Sequence, residues 1–134
     1  DELDMGYRTS AVAKNNMIVL QVVIELKSGD KEQIKARMNQ LSELRKQKQP
    51  LEYPSAGSTF KRPEGYFAGK LIADAGLKGY SIGGAAVSEK HAGFVVNMGG
   101  ATAKDVVELT DYIKKRIMEQ FGVTLELEVK RIGL

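Results

Sequence analysis

Alternating apolar positions predict a β-strand over residues 17–26. One face of this strand carries Ile18, Leu20, Val22, Ile24 and Leu26. Asp30 comes after a short break and Gln33 stands three residues later, which is the spacing of an N-cap pair at the start of a helix. Apolar residues then recur at three- and four-residue intervals, at Ile34, Met38, Leu41 and Leu44. The first part of the chain is therefore expected to form a strand and then a helix that ends near residues 47–50.

Prolines and glycines mark a boundary in the middle of the chain. The three prolines are Pro50, Pro54 and Pro63, so two of them lie within residues 51–65 and the third directly precedes that segment. Both residue types interrupt regular structure. We therefore predict a domain boundary that separates the first strand and helix from the remainder of the chain.

Beyond this boundary the pattern predicts one short helix and two strands. Apolar residues at helical spacing precede Gly76, which occupies the position of a left-handed C-cap. These apolar residues are Phe67, Leu71, Ile72 and Ala75. Residues 80–88 and 93–98 predict an antiparallel pair of strands joined by a turn. Gly83–Gly84 inside the first strand indicates a bulge, or a place where a ligand or another backbone comes close.

The last part of the chain predicts a long helix and a final strand. Thr102 is followed by Asp105 at capping-box spacing, and Gly122 ends the apolar stripe. That stripe consists of Val106, Leu109, Ile113, Ile117 and Phe121. Alternation over residues 123–129 predicts a half-buried strand. Taken together, these elements predict an α+β fold in which helices pack on a mainly antiparallel sheet.

Composition excludes several classes of function. The sequence has no cysteine and a single histidine, His91, so neither a thiolate or histidine metal site nor a histidine-dependent triad is expected. The net charge of +3 is too small to indicate nucleic acid as a partner. No apolar run approaches the roughly 20 residues that cross a bilayer, and the acidic start does not resemble a signal peptide. We expect a cytoplasmic protein without a membrane partner.

The loop of residues 56–63 is the first candidate for chemistry. It places Ser58 in flexible backbone with Lys61 and Arg62 shortly after it. Local pattern favours a turn that leads into an edge strand with solvated cations. Because no histidine base lies nearby in the sequence, a catalytic Ser58 would act by giving up its proton.

Other polar residues have simple structural explanations. Glu128 is expected on an exposed sheet face near Lys130, and Arg8 is expected to be a surface charge. His91 is expected to lie in a turn. Gly99–Gly100 precedes a helix and could bind phosphate there, although no GxGxxG or Walker pattern accompanies it.

Several short motifs, in the same order and at the same spacing, change this interpretation. They are Tyr7-Arg8-x-Ser10, Ala56-Gly57-Ser58-x-Phe60-Lys61, Ala68-Gly69-x-Leu71-Ile72, Gly79, Ile82-Gly83-Gly84, Lys90-His91-Ala92-Gly93-Phe94-x-x-Asn97, Leu127-Glu128-Val129 and Ile132-Gly133. In these motifs the chain resembles the bacterial UDP-N-acetylenolpyruvoylglucosamine reductases, the MurB family, over nearly its whole length.

This resemblance implies a flavoenzyme reaction. In the family, NADPH reduces FAD, hydride then passes to the enolpyruvyl group of UDP-N-acetylglucosamine enolpyruvate, and the resulting carbanion is protonated. The resemblance implies that Ser58 donates this proton. It also implies that Arg8 and Glu128 hold the substrate carboxylate and stabilise the intermediate, which suits a guanidinium and a protonated carboxylic acid. The positions that correspond to substrate-binding residues are Lys48, Gly57, Lys61 and Arg62.

The resemblance also assigns domains and shows departures from the family. Residues 1–27 correspond to the tail of the FAD-binding domain, 28–50 to a connecting helix, 51–121 to the substrate-binding domain, and 122–134 to a strand that returns towards the FAD domain. The FAD-binding half of the family lies upstream, so the chain alone is expected to be inactive.

Two local features differ among family members. A loop that carries a tyrosine in some members is absent here, and Arg62 replaces an asparagine that touches the nucleotide. The alternative interpretation is a non-catalytic α+β module that binds a phosphorylated or nucleotide ligand through Lys48, Lys61 and Arg62.

Overall fold

The computed structural model describes residues 2–133. The chain divides into two compact units, Asp1–Lys35 and Ala36–Leu134, which we call unit 1 and unit 2. The helix predicted after Asp30 spans this division, since α2 comprises Lys31–Lys48.

Unit 1 contains little regular structure. A short helix, α1, comprises Ala11–Lys14, and the Ser10 hydroxyl oxygen accepts a hydrogen bond from the Ala13 amide at 3.4 Å. The predicted strand over residues 17–26 is wrong for this chain, because these residues form no ladder with any other described residue. Their apolar side chains are exposed, with Leu20 at 93%. A strand is stable only when a neighbour takes its amides and carbonyls, and the described chain offers none here.

The helix predicted from residue 30 onwards is confirmed as α2. The Asp30 carboxylate accepts a hydrogen bond from the Gln33 amide at 2.8 Å, as the capping pattern predicted. Three basic residues occupy its last turn, where they interact favourably with the partial negative charge of the helix C-terminus. None of its residues is buried.

Unit 2 is built on a four-stranded antiparallel sheet. Its strands are β1 (Ser55–Ser58), β2 (Ser81–Ile82), β3 (Ala85–Val87) and β4 (Phe94–Asn97), in the order β1-β4-β3-β2. The predicted antiparallel pair is confirmed in β3 and β4, where Ala86 lies opposite Val96. The strand predicted over residues 80–88 is in fact a hairpin, β2 and β3, with Gly83–Gly84 as its turn.

Gly84 shows why this turn lacks side chains. A Cβ atom at Gly84 would lie 2.5 Å from the backbone nitrogen of Ala101 and 2.5 Å from the carbonyl oxygen of Gly99. At Gly83, a Cβ would lie 2.5 Å from the Asp105 carboxylate. The sequence predicted a bulge at Gly83–Gly84, or the close approach of a ligand or another backbone. The structure shows the close approach of another backbone.

Two helices, α3 (Ala68–Asp74) and α4 (Ala103–Phe121), complete unit 2. The predicted capping box of α4 is confirmed: the Thr102 hydroxyl oxygen accepts from the Asp105 amide, and the Asp105 carboxylate accepts from the Thr102 amide. Gly122 ends this helix with a φ of 65°. The predicted stripe is fully buried only from Leu109 to Ile117.

The core of unit 2 lies between the helices and one face of the sheet. Its members with no more than 2% exposure are Phe60, Ile72, Ala85, Val87, Leu109, Ile113, Ile117 and Leu125. A smaller cluster of Ala86, Phe94 and Val96 lies in the alternate positions of β3 and β4. The predicted α+β class is therefore confirmed.

The segment after α4 is extended but is not the regular strand predicted over residues 123–129. Leu125 is buried, as the alternation predicted. Among the described residues, one isolated bridge pairs this segment, between Leu127 and Phe60, which lies just beyond β1. The prediction of a half-buried segment was correct, and the predicted extent of strand pairing was wrong.

Candidate functional site

The end of β1 and the segment of residues 126–128 lie side by side. The Lys61 amide donates to the Glu126 carbonyl at 2.9 Å, and the Glu128 amide donates to the Thr59 carbonyl at 2.9 Å. On the other side, the Thr59 amide donates to the Gly93 carbonyl at 2.9 Å. Backbone hydrogen bonds therefore place Glu128 directly beside the residue after Ser58, although 70 positions separate Glu128 from that serine in sequence.

Ser58 is exposed at the last position of β1. Its hydroxyl donates to the Phe60 carbonyl at 3.4 Å, which is long for a bond of this type. Gly57 has a φ of 87°, a conformation that favours glycine. The hydroxyl is thus at the surface and only loosely engaged by the protein.

Glu128 is partly buried between Leu127 and Val129, both of which are also partly buried. Leu127 packs against the core. This differs from the fully exposed sheet face that the local pattern indicated, because the bridge to Phe60 draws the segment onto the domain.

Lys61 and Arg62, the two cations of the loop of residues 56–63, contact neighbouring groups. The Lys61 ammonium lies 2.9 Å from a Glu126 carboxylate oxygen, and this hydrogen bond holds the pKa of Glu126 below its usual value. Arg62 donates from Nε to the Tyr66 carbonyl at 3.3 Å, and its guanidinium carbon lies 4.0 Å from the centroid of the Phe67 ring. Lys48 is the exposed last residue of α2.

Arg8 belongs to unit 1. It has a φ of 58° in the turn closed by the bridge between Gly6 and Thr9. Its guanidinium carbon lies 5.3 Å from the centroid of the Tyr7 ring. Convergence of Arg8 with Ser58 and Glu128 stays a prediction.

Thr59 is a residue that the sequence analysis missed. It is 3% exposed, and its hydroxyl oxygen accepts a hydrogen bond from the Val95 amide at 3.0 Å. The side chain thus fixes β4 to the loop immediately after Ser58. A threonine surrounded by polar loop residues gives no local sign of burial, so only the fold reveals this contact.

His91 has the turn role that its surroundings predicted. Its Nδ1 accepts from the Gly93 amide at 3.1 Å, and its ring meets the Phe94 ring edge-on with centroids 5.0 Å apart. The Ser88 hydroxyl oxygen accepts from the His91 amide at 3.3 Å. These contacts shape the connection between β3 and β4.

Three of the backbone amides before α4 already have acceptors inside the protein. The Asn97 side-chain oxygen accepts from the amides of Gly99 at 2.8 Å and Ala101 at 3.1 Å. The Thr102 amide donates to Asp105 at 2.9 Å. Phosphate binding at Gly99–Gly100 is therefore not favoured, because a phosphate would have to displace these bonds.

A groove of about 610 Å³ lies next to these segments. It runs between β1, β4, α4 and residues 127–132, and its lining is largely apolar, including Val95, Val106 and Leu127. Within residues 2–133 no group of three or more His, Asp or Glu side chains is placed to hold a metal ion. In that same range, no helix has both the length and the apolar character needed to cross a membrane.

Comparison with known proteins gives consistent matches. A family model described as "UDP-N-acetylenolpyruvoylglucosamine reductase, C-terminal domain" matches residues 49–132. A reductase of that name from Clostridium perfringens strain SM101 is 60% identical over 133 residues, which are 99% of this chain and 44% of the relative. One from Lachnoclostridium phytofermentans is 58% identical over 99% of this chain and 43% of the relative.

A solved structure agrees with these sequence matches. The crystal structure of UDP-N-acetylenolpyruvylglucosamine reductase (MurB) from Thermus caldophilus has a TM-score of 0.75 and 42% identity, over 97% of this chain and 46% of that one. The chain thus spans less than half the length of the relatives it matches. The matched domain, the sequence identity and the shared fold together show that this chain belongs to the UDP-N-acetylenolpyruvoylglucosamine reductase family, as a C-terminal part of such a protein.

Proposed function

We propose that this chain is the substrate-handling part of an enzyme that reduces UDP-N-acetylglucosamine enolpyruvate to UDP-N-acetylmuramate during synthesis of peptidoglycan precursors. The observation that carries this proposal is the position of Glu128, which family membership alone does not supply. Its amide is bonded to the Thr59 carbonyl, next to an exposed Ser58 hydroxyl. A proton donor and an acid from distant parts of the sequence thereby lie on adjoining segments.

Ser58 is proposed to complete the reduction. Addition of hydride to the enolpyruvyl double bond leaves an electron pair on the carbon next to the carboxylate. The Ser58 hydroxyl gives its proton to that carbon, so two hydrogens have been added across the double bond. The serine oxygen then regains a proton from water, which its exposure permits.

Arg8 and Glu128 are proposed to stabilise the negative charge that builds up before protonation. The Arg8 guanidinium pairs with the substrate carboxylate through two parallel hydrogen bonds. Glu128, when protonated, donates a further hydrogen bond to the same group.

Four further positions are proposed to contact the nucleotide part of the substrate. Lys48, Lys61 and Arg62 supply positive charge for the diphosphate and its neighbours. Lys61 is paired with Glu126, so an anionic ligand would have to exchange with that carboxylate. Gly57 lets the substrate approach the backbone, because no Cβ projects there.

FAD and NADPH are proposed as the redox cofactors. FAD, once reduced by NADPH, supplies the hydride when it is bound. The amides of Gly99, Ala101 and Thr102 before α4 have internal acceptors, and the groove beside β1 is mainly apolar, so neither feature of unit 2 favours a dinucleotide. We therefore assign FAD binding chiefly to an upstream half, to which residues 1–27 would contribute the tail.

This upstream half would also be a partner for unit 1, whose apolar residues 17–26 are exposed in this chain. We further propose a cytoplasmic location, where both NADPH and nucleotide sugars occur. The alternative, a non-catalytic module that binds a phosphorylated ligand, has less support. It requires Lys61 and Arg62 to form a shared cationic surface, whereas Glu126 and Phe67 engage them separately.

The proposal is tested by Ser58→Ala in the full-length enzyme. Reduction of the flavin by NADPH should keep its wild-type rate, because Ser58 takes no part in it. Reoxidation of the reduced flavin by the enolpyruvyl substrate should slow by roughly 10²- to 10⁴-fold, as expected when a general acid is lost. Stopped-flow flavin absorbance measures both rates.

Two variants serve as controls for this experiment. Ser58→Cys should recover part of the rate, because a thiol can also give a proton. Ser42→Ala removes an exposed hydroxyl on α2, away from the proposed site, and should leave both rates unchanged. Wild-type reoxidation in Ser58→Ala would show that the proton comes from another group.

A further inference from the structure

The segment that carries Glu128 is held at two places by side chains. Before Glu128, Lys61 binds the Glu126 carboxylate at 2.9 Å in addition to the backbone bond between these two residues. After Glu128, Arg131 donates from Nη2 to the Asp111 carboxylate at 2.9 Å and to the Thr110 hydroxyl oxygen at 3.2 Å. Residues 128–131 contain no regular structure of their own, so these side chains determine where this stretch lies.

The contacts of Arg131 reach a rigid part of the domain. Thr110 is 1% exposed, and its hydroxyl donates to the Val107 carbonyl at 2.9 Å, which leaves its oxygen lone pairs to accept from Arg131. Thr110 also directly follows Leu109, which is fully buried in the core. Both bonds come from the same guanidinium nitrogen, Nη2, which ties the Arg131 side chain to two neighbouring residues of α4.

We infer that Arg131 is a positioning residue for Glu128. Through Asp111 and Thr110 on α4, it holds the segment that follows Glu128. Lys61 holds the segment that precedes Glu128, and the Thr59 carbonyl binds Glu128 itself. This inference rests on the proposed role of Glu128 in the reduction. The arrangement ties Glu128 to the segment that follows β1 and ties the residues after Glu128 to α4.

Arg131 acts here through geometry rather than through stability. Its side chain is 36% exposed and that of Asp111 is 52% exposed, so water and salt screen the ion pair. Catalytic groups must nevertheless be held closely, because a misplacement of about 1 Å can cost roughly 10²-fold in rate. Loss of the Arg131 contact should therefore slow the reduction of the substrate markedly while changing the free energy of unfolding only slightly.

The test uses Arg131→Met in the full-length enzyme. Reoxidation of reduced flavin by the substrate should slow by about 5- to 20-fold, which is less than the roughly 10²-fold cost of complete misplacement. Reduction of flavin by NADPH should stay unchanged. Arg131→Lys should recover only part of the rate, since it keeps the positive charge but its shorter side chain cannot place a donor where Nη2 reaches both acceptors. Asp111→Ala removes the same contact from the other side and should give a similar loss.

A double variant separates positioning from a general structural effect. In a Glu128→Gln background, Arg131→Met should cause no further loss, because there is no catalytic carboxyl left to position. Additive losses would overturn the inference. Lys115→Met is the matched control, since it removes an exposed cation whose partner, Glu119, lies on the same helix. A loss of equal size in Lys115→Met would also overturn it.

Hydrogen exchange gives a second measurement that does not depend on activity. The Glu128 amide is bonded to the Thr59 carbonyl, so peptides covering residues 126–131 should exchange faster in Arg131→Met than in wild type. Unchanged exchange would overturn the inference. If Glu128→Gln alone leaves the rate unchanged, the proposed role of Glu128 fails, and the exchange rate still decides whether Arg131 holds the segment.

Discussion

Gly84→Ala should destabilise unit 2 strongly, and the reason is steric. The added Cβ would lie 2.5 Å from two backbone atoms, the Ala101 nitrogen and the Gly99 oxygen. Ordinary contacts need about 3.5 Å, so the turn or the loop must move by roughly 1 Å. Because φ of Gly84 lies outside the left-handed region, the cost comes from this contact alone.

The size of the effect depends on which groups must move. Overpacking of a fixed site costs about 1–3 kcal/mol. If the loop of residues 99–101 moves, it also strains the two hydrogen bonds that the Asn97 side chain accepts from Gly99 and Ala101, each worth about 1 kcal/mol. A total of about 2–4 kcal/mol corresponds to a fall in melting temperature of roughly 10–30 °C for a domain of this size.

Thermal unfolding of the 134-residue chain, followed by far-ultraviolet circular dichroism, measures this fall. Gly65→Ala is the matched control, because Gly65 has a φ of 74° but no atom within 4 Å of its Cβ position. It should cost only about 1–2 kcal/mol, from backbone strain. If Gly84→Ala were no worse than Gly65→Ala, the close approach of the two backbones would be refuted.

Two further outcomes are expected. The pKa of Asp105 is lowered, chiefly by the hydrogen bond that its carboxylate accepts from the Thr102 amide. The Asp105 carboxylate therefore stabilises the fold fully above its pKa in the unfolded chain, and this stabilisation is lost as the pH falls through its lower pKa in the folded chain. Asp105→Asn should make the free energy of unfolding depend less on acid pH. Urea unfolding curves at several pH values measure this dependence. The isolated 134-residue chain should be colourless and inactive, and it should bind a hydrophobic dye through the exposed apolar residues 17–26. Flavin absorbance at a one-to-one ratio in the purified chain would contradict the expected absence of colour. Wild-type-like dye fluorescence after polar substitution of Leu20 and Val22 would contradict dye binding by residues 17–26.

The sequence alone predicted the three longer helices, α2, α3 and α4, but not the short α1. The Asp30–Gln33 pair, the Thr102–Asp105 capping box and the left-handed Gly122 all lie where the pattern predicted. Each is a contact between residues no more than a few positions apart, since helix hydrogen bonds join a residue to its fourth neighbour. The same short range allowed the pattern to predict the buried stripe from Leu109 to Ile117.

Strands were predicted less well, for the opposite reason. Their hydrogen bonds come from segments distant in sequence, so an alternating pattern shows which side chains prefer burial but not whether a neighbour exists. Residues 17–26 have the pattern and no partner among the described residues, and residues 123–129 obtain one bridge. Gly83–Gly84 became a hairpin turn because the backbone of Gly99 and Ala101 packs against it.

Only the tertiary structure decided how the candidate site is assembled. The motifs implied roles for Ser58 and Glu128, but the bond that places Glu128 beside Thr59 joins residues 69 positions apart. The ion pair of Lys61 with Glu126 and that of Arg131 with Asp111 likewise join separate elements. No local pattern encodes such contacts, because they form only when α4 and the sheet close around a common core and bring the end of the chain back to β1.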